Sequence, residues 1–326
     1  MYFCRKSQKK MFRTELTPVP SEFNIGIKTR MLSFGSCFAN EMGHRMDEYK
    51  FQIQTNPGGI LFNPMSIFKL LDLALEEAPL PEWSFVQRQG MKVSYLLHLD
   101  WAAEEQSHLA MAGKGLLDRM KERLAHTDLV ILTFGTAFVY QLKANGEMVA
   151  NCHKVPQKQF DKKLLNVEEI VSGFQTIKEK IERLNPDIRF LLTVSPVRHT
   201  REGLPQNNLS KSILRMACHE LSKAGSNVTY FPAYEIMLDD LRDYRFYKKD
   251  LIHPNEQAQD YIWQQFSQTY FDDETLSFVN EWAKVKSALE HKPFDAQSEE
   301  HQQFLKATLK KLQNFSGQVD VSEEIE

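Results

Sequence analysis

The sequence predicts an α/β fold, a three-layer α/β/α sandwich around a mostly parallel sheet, with additional helices at the C-terminus. Three observations carry this expectation. Short apolar runs rich in β-branched residues alternate with longer stretches of helical periodicity from about residue 30 to residue 270. The strongest runs, "DLVILTFGT" (128–136) and "DIRFLLTVSP" (187–196), are apolar without alternation, as strands covered on both faces must be. Each run also stops at a breaker, Gly135 in the first and Pro196 in the second.

In chain order, "RMLSFGS" (30–36) reads as the first strand, with a helix over 40–50 after it. "FQIQT" (51–55) reads as a second, short strand. The helix over 64–77 opens with Pro64, whose fixed φ suits a first helical position. Residues 83–101 alternate around Gly90 and read as a hairpin or edge insertion. Three- and four-residue apolar spacing predicts a helix over 109–126. In "YQLKANGEMVANC" (140–152), Asn145-Gly146 sits between strand-like flanks, a two-residue hairpin signal. The helix over 166–184 has Asn166 as N-cap and an acidic first turn. A helix over 209–224, a strand at 227–233 and a helix over 255–270 complete the alternation. Two charge-rich helical stretches follow, at 274–290 and 297–313, and the acidic tail "SGQVDVSEEIE" is expected to lack structure. The expected divisions are an N-terminal tail (1–20), one main domain (21–272), a helical extension (273–315) and a disordered acidic tail (316–326).

A chain of 326 residues, 42% hydrophobic and 25% charged, can bury a sizeable core without staples. Its net charge of −3 supplies no basic field for nucleic acid. The four cysteines, Cys4, Cys37, Cys152 and Cys218, form no CxxC pair or metal-ligand spacing, so no zinc site is expected. No run approaches the roughly 18 apolar residues of a membrane helix, and "MYFCRKSQKKMFRTEL" lacks the apolar core of a secretory signal. The expectation is a cytoplasmic enzyme, with Met11 a possible second start. The aromatic stretches "PEWSF" and "YRFY" read as packing rather than as a nucleic-acid platform.

Parallel sheets bind ligands beyond the carboxyl ends of their strands, so the residues just after each strand matter most. There stand Gly35-Ser36-Cys37, then Gly58-Gly59, Gly135-Thr136, and "SPVRH" with Arg198 and His199. Late in the chain, "KKDLIHPN" puts Asp250 three residues before His253, directly ahead of a helix. In such a loop the carboxylate accepts from one imidazole nitrogen and leaves the other outward as a base. A base of this kind needs a nucleophile, and Ser36 offers one. Ser36 is equally suited to capping the following helix. Cys37, at a helix N-terminus that lowers thiol pKa values, is the alternative nucleophile, although it points a helical step away.

"FGSCFA" (34–39) is the namesake motif of the GSCFA family, within the wider SGNH/GDSL hydrolase group, and the chain resembles that family over about residues 30 to 270. "NPGGILFNP" (56–64), "LTFGTAFVY" (132–140), "NCHKVP" (151–156), "SPVRH" (195–199) and "DLIHPN" (250–255) add to the likeness. The resemblance implies a flavodoxin-like sandwich with a Ser-His-Asp site: Ser36 as nucleophile, His253 as base and Asp250 as its carboxylate. The candidate oxyanion donors are Ser36 N–H and Gly59 N–H, where Gly59 by position resembles the glycine donor of the group, with Thr136 adding its hydroxyl or N–H. There the chain departs from the group, which usually has asparagine where Thr136 stands, and Asn151 is a candidate for the missing amide.

The expected function is a serine acyl esterase or O-acyltransferase acting through an acyl-enzyme on acetyl-type groups of a small or carbohydrate substrate. Asn151, His153, Arg198 and His199 are candidate substrate contacts; for His153 a role within the hairpin is as good a reading. No metal or organic cofactor is indicated, and no phosphate-binding glycine loop announces an acyl carrier. The expected partners are the ester substrate alone, without nucleic acid or membrane. A second class of function stays open, a glycan-binding module whose oxyanion hole is weakened at Thr136.

Overall fold

The computed structural model describes residues 13–291 and 297–325, so the first twelve residues of the expected N-terminal tail lie outside it. In chain order the elements are β1 (Met31–Gly35), α1 (Cys37–Glu48), β2 (Ile53–Thr55), α2 (Pro64–Leu75), β3 (Phe85–Arg88), β4 (Met91–Ser94) and α3 (Gln106–Leu124). Then come β5 (Leu129–Phe134), β6 (Phe138–Leu142), β7 (Met148–Val149), β8 (Phe160–Leu164), α4 (Val167–Leu184), β9 (Arg189–Val194), α5 (Leu204–Lys223) and β10 (Val228–Phe231). The chain ends with α6 (Ala233–Glu235), α7 (Glu256–Tyr270), α8 (Asp273–Leu289), α9 (Glu299–Phe315) and α10 (Ser322–Ile325).

The central sheet has the order β10-β9-β5-β1-β2, every pair parallel. β1 and β5 are buried throughout, and side chains alternate between two cores as the strand pleat requires. Leu32, Phe34, Leu132, Phe134, Leu192 and Val194 join one core, covered by α2, α3, α4 and α5. Met31, Leu129, Ile131 and Leu191 join the other, with α1, α7 and α8. Each fully buried side chain of this kind contributes about 1.5–3 kcal/mol relative to exposure. The result is the three-layer sandwich that the sequence implies.

The helix starts follow from local chemistry. Asn166 and Glu169 form a capping box for α4, and Asn63 and Asn255 cap α2 and α7. Helix α5 begins five residues before its expected start, because Gly203 at φ 83 turns the chain and Pro205 fits the first helical turn. The hairpin at 140–152 turns through four residues, 143–146, rather than two: Leu142 N–H donates to Glu147 O at 2.9 Å, and Gly146 takes the left-handed conformation at φ 74. Strand β8 extends that hairpin into an antiparallel sheet, β7-β6-β8, at the carboxyl end of β5. Its motif "FDKKL" has three exposed polar residues and shows no apolar alternation, so the sequence does not betray it.

The C-terminal helices join the second core. Trp282 of α8 is 2% exposed, and its indole N–H donates to Glu48 O at 2.8 Å. Leu312 of α9 and Val321 of the acidic tail are buried in the same cluster. The tail, expected to lack structure, forms α10, and Lys50 pairs with Glu324 at 2.7 Å. Val321, Val319 packed against the same cluster, and this ion pair supply what its composition alone does not. Among the described residues no helix is long and apolar enough to cross a membrane. Trp282→Ala should destabilise the chain by about 3–5 kcal/mol in one cooperative urea transition. A separate early transition that leaves the sheet intact would place α8 outside the core.

Candidate active site

The rim at the carboxyl end of the sheet begins with Gly35. Its φ of 147 and the proximity of β5 exclude a side chain: a Cβ there would lie 2.2 Å from Thr133 O. Asn56, at the end of β2, accepts from Gly35 N–H at 2.7 Å and donates to Asn40 Oδ1 of α1 at 2.6 Å. One buried amide thus ties β1, β2 and α1 together at this end. Ser36 follows with extended backbone (φ −71, ψ 178) as the N-cap of α1, and its Oγ accepts from Phe38 N–H at 3.3 Å. The capping role is therefore real. The side chain is fully buried.

The loop before α7 folds around Asp250. Leu251 at φ 59 reverses the chain, so that Asp250 Oδ1 accepts from Ile252 N–H (2.9 Å) and His253 N–H (3.0 Å). Asp250 Oδ2 bonds His253 Nδ1 at 2.7 Å. The His253 and Ile252 amides, then the imidazole, hold the Asp250 carboxyl well below the usual carboxylate range. With Nδ1 committed to Asp250, Nε2 is the ring atom left for proton transfer. His253 and Asp250 are partly exposed, unlike Ser36.

Residues after β9 hold the loop and approach Gly135 beside Ser36, while among the described residues no hydrogen bond joins Ser36 Oγ to His253. Arg198 N–H donates to Ile252 O (3.3 Å) and its guanidinium to Leu251 O (3.2 Å), while the same group lies 4.0 Å from the centre of the Tyr247 ring. Arg198 thus clamps the Asp250–His253 loop. His199 lies deeper: its N–H donates to Asn207 Oδ1 at 2.9 Å, and its ring meets Phe62 edge-on at 5.5 Å. A Cβ placed on Gly135 would stand 3.2 Å from His199 Nε2 and 3.3 Å from Ser36 Cβ. Beneath them Lys211, 1% exposed, donates to Gly135 O (2.7 Å) and Ser195 O (2.6 Å). Burial pushes this lysine down to about 7.

The other expected residues have more varied places. Gly59, at φ 86, packs against His98, where a Cβ would meet the side chain at 2.0 Å, and its N–H donates to Asn56 O. Thr136 N–H donates to Phe62 O, and its hydroxyl contacts Ser210 Oγ (3.1 Å) and accepts from Phe138 N–H. Asn151 Oδ1 accepts from His153 N–H, and His153 is buried with Nε2 bonded to Ser94 O at 2.7 Å. Both belong to the packing of the hairpin. Cys37 has its thiol pushed up by burial, the reverse of the helix-terminus effect expected for it. Asn56, Asn207 and Lys211 escape the sequence reading. Lys211 leaves one trace there, a lysine on the same helical stripe as Leu214, Cys218 and Leu221.

A cavity of about 400 Å³ opens beside His199 and Thr136. Phe62, Phe138 and Tyr140 supply its aromatic walls, and Arg201 and the Lys162–Glu202 pair its charges. A larger hollow of about 670 Å³ lies at the opposite rim, around Arg30 and Gln52, where β1 and β2 start and no candidate nucleophile stands. Among the described residues no group of three or more His, Cys, Asp or Glu side chains is gathered to hold a metal ion.

Burial, then the charges of Lys211 and His253, push His199 down from its ordinary value of 6.5 to about 3. Between those values the unfolded chain takes a proton that the folded chain refuses, so stability falls as pH drops through this window and is complete above it. In urea denaturation, wild type should lose about 2 kcal/mol more than His199→Gln between about pH 7 and pH 5. Parallel curves for the two proteins would exclude a buried neutral imidazole.

Among solved structures, the chain is similar to a protein from Streptococcus pneumonia given provisionally as a platelet activating factor (12% identity, TM-score 0.38, covering 74% of this chain and 83% of that one). It is also similar to a carbohydrate esterase family 3 protein from Talaromyces cellulolyticus (12%, TM-score 0.28, covering 50% and 67%). A third is the acetyl xylan esterase Est2A from the rumen bacterium Butyrivibrio proteoclasticus (11%, TM-score 0.34, covering 75% and 66%). Likenesses this distant carry no argument about chemistry. No curated protein matches the chain. The model of the GSCFA family matches residues 30–266, and that of the GSCFA domain protein C-terminal domain matches residues 282–326. With the first match taking in most of its length and the "GSCFA" string at the rim of the sheet, the chain belongs to the GSCFA family.

Proposed function

We propose that this protein is a serine-dependent acyl esterase or O-acyltransferase. The observation that carries the reading is the Asp250–His253 pair: a carboxylate fixed by two backbone N–H groups and bonded to the ring nitrogen of a rim histidine. A histidine backed in this way is suited to take a hydroxyl proton. Ser36 is the hydroxyl assigned to it, at a strand end whose GSCFA motif the family resemblance links to a nucleophile.

The chemistry runs in two displacements. Ser36 Oγ bonds to the acyl carbon while its proton passes to His253 Nε2. The tetrahedral intermediate collapses, the ester C–O bond breaks, and the leaving oxygen takes that proton. Water or an acceptor hydroxyl then attacks the acyl-Ser36 carbon, again giving its proton to His253, and Ser36 is released. Water yields hydrolysis and a sugar hydroxyl yields transfer. The size of the cavity suits a small acyl group, and the aromatic faces of Phe62, Phe138 and Tyr140 suit the apolar face of a sugar.

A second reading has its own support. Ser36 is fully buried, and the N–H groups of Ser36, Gly59 and Thr136 all donate to backbone carbonyls. A chain whose three expected backbone donors are engaged in this way would bind a glycan without turning it over. Fluorophosphonate labelling separates the two. The esterase reading expects labelling of wild type and none of Ser36→Ala, with Cys37 intact. It also expects kcat toward p-nitrophenyl acetate to fall by about 10⁴-fold or more in Ser36→Ala or His253→Ala, and by about 10²–10⁴-fold in Asp250→Asn. Unlabelled, folded wild type, or a fully active Ser36→Ala, would end the serine mechanism.

A further inference from the structure

An oxyanion on Ser36 needs donors that are not already engaged. Ser36 N–H donates to Thr133 O (3.2 Å), Gly59 N–H to Asn56 O (2.7 Å) and Thr136 N–H to Phe62 O (2.9 Å). The Thr136 hydroxyl is shared with Ser210 and accepts from Phe138 N–H. His199 differs from all of them. Its Nε2 is buried and has no hydrogen-bond partner. A Cβ on Gly135 would crowd Phe62 O (2.9 Å), His199 Nε2 (3.2 Å) and Ser36 Cβ (3.3 Å) at once, so His199 Nε2 and Ser36 both approach Gly135 closely and only glycine fits between them.

The ring is also held in place. Asn207 fixes its backbone, Phe62 packs edge-on against it, and Lys211 lies behind the Gly135 carbonyl. Among the described residues no carboxylate is bonded to the His199 ring as Asp250 is to His253, so it is not built as a second base. The nearby Lys211 ammonium opposes a second proton on the ring. What remains is a neutral imidazole with one N–H and a fixed direction.

We propose that His199 Nε2–H donates the hydrogen bond that holds the acyl carbonyl oxygen as it becomes an oxyanion on Ser36. This inference rests on the serine-esterase reading. It gives His199 the task that Thr136, standing where the hydrolase group usually has asparagine, does not perform. As the Ser36 Oγ–carbon bond forms, the carbonyl π pair moves onto oxygen, and His199 shares its proton without losing it. Collapse returns the pair to the C=O bond and expels the leaving oxygen, which takes the Ser36 proton from His253. The two histidines therefore divide the labour, one moving a proton and one holding its own.

The test compares p-nitrophenyl acetate hydrolysis by the full chain as wild type, Ser36→Ala, His199→Ala and His199→Gln. His199→Ala should lower kcat by about 10²–10³-fold with little change in KM, and His199→Gln, which keeps a neutral N–H donor, should recover part of the loss. Proton–nitrogen NMR of wild type should show His199 protonated at Nε2, with that proton's signal moving when a fluorophosphonate reacts with Ser36. A His199→Ala protein with kcat within a few-fold of wild type, while Ser36→Ala is inactive, overturns this inference alone. So does a wild-type ring protonated only at Nδ1, a measurement that needs no variant to fold. A wild type with no turnover overturns the serine-esterase reading together with it.

Discussion

Where β1 ends, the Thr133 carbonyl of β5 comes so close to Gly35 that a single added carbon would lie 2.2 Å from it. Much of the rim follows from this approach. The two strands are inner neighbours in a parallel sheet, so they must release their chains at the same edge. Gly35 lets β1 turn out of the sheet without a clash, and the next residue, Ser36, becomes both the cap of α1 and a hydroxyl at the rim. A larger residue at 35 would push β1 from β5 and displace Ser36 with it. Asn56 reinforces the same point from β2, since its side chain satisfies the Gly35 N–H that the ladder leaves unpaired.

The electrostatics of the rim are arranged by depth. Asp250 and His253 sit where solvent reaches them, and backbone amides rather than burial keep the carboxylate charged. His199 and Lys211 sit below, where desolvation disfavours charge on both. Lys211 is tolerated there because two carbonyls at strand ends accept from it. Those carbonyls, Gly135 O and Ser195 O, belong to the chain just beyond β5 and β9, so the lysine also joins the two strand exits on either side of His199. Arg198, the neighbour of His199, does comparable work for the loop before α7.

The second core explains why the C-terminal helices belong with the sheet rather than beside it. Helix α7 carries Trp263, Phe266 and Tyr270, Phe271 follows it, and α8 brings Phe278 and Trp282 to the same cluster. Stacked and edge-on rings recur there, as between Trp282 and Phe315. The helix that delivers Ser36 is thus buttressed by residues more than two hundred positions away, through the bond from Trp282 to Glu48 at its far end.

Periodicity and turn chemistry sufficed for the layers, the parallel strands and most helix starts, because burial on both faces and capping leave local marks on a chain. Spacing was enough for the Asp250–His253 bond too, since three residues in one loop are neighbours whatever the rest does. The depth of a side chain has no local mark. His199 and His153 read alike in the sequence, yet one borders Ser36 and the other is bonded to Ser94 O inside a hairpin. Nor does local sequence say which amides are spoken for: Gly59 and Thr136 look free until the carbonyls of Asn56 and Phe62 are brought to them. Packing settles such questions because it alone fixes which groups lose water and which distant partner replaces it.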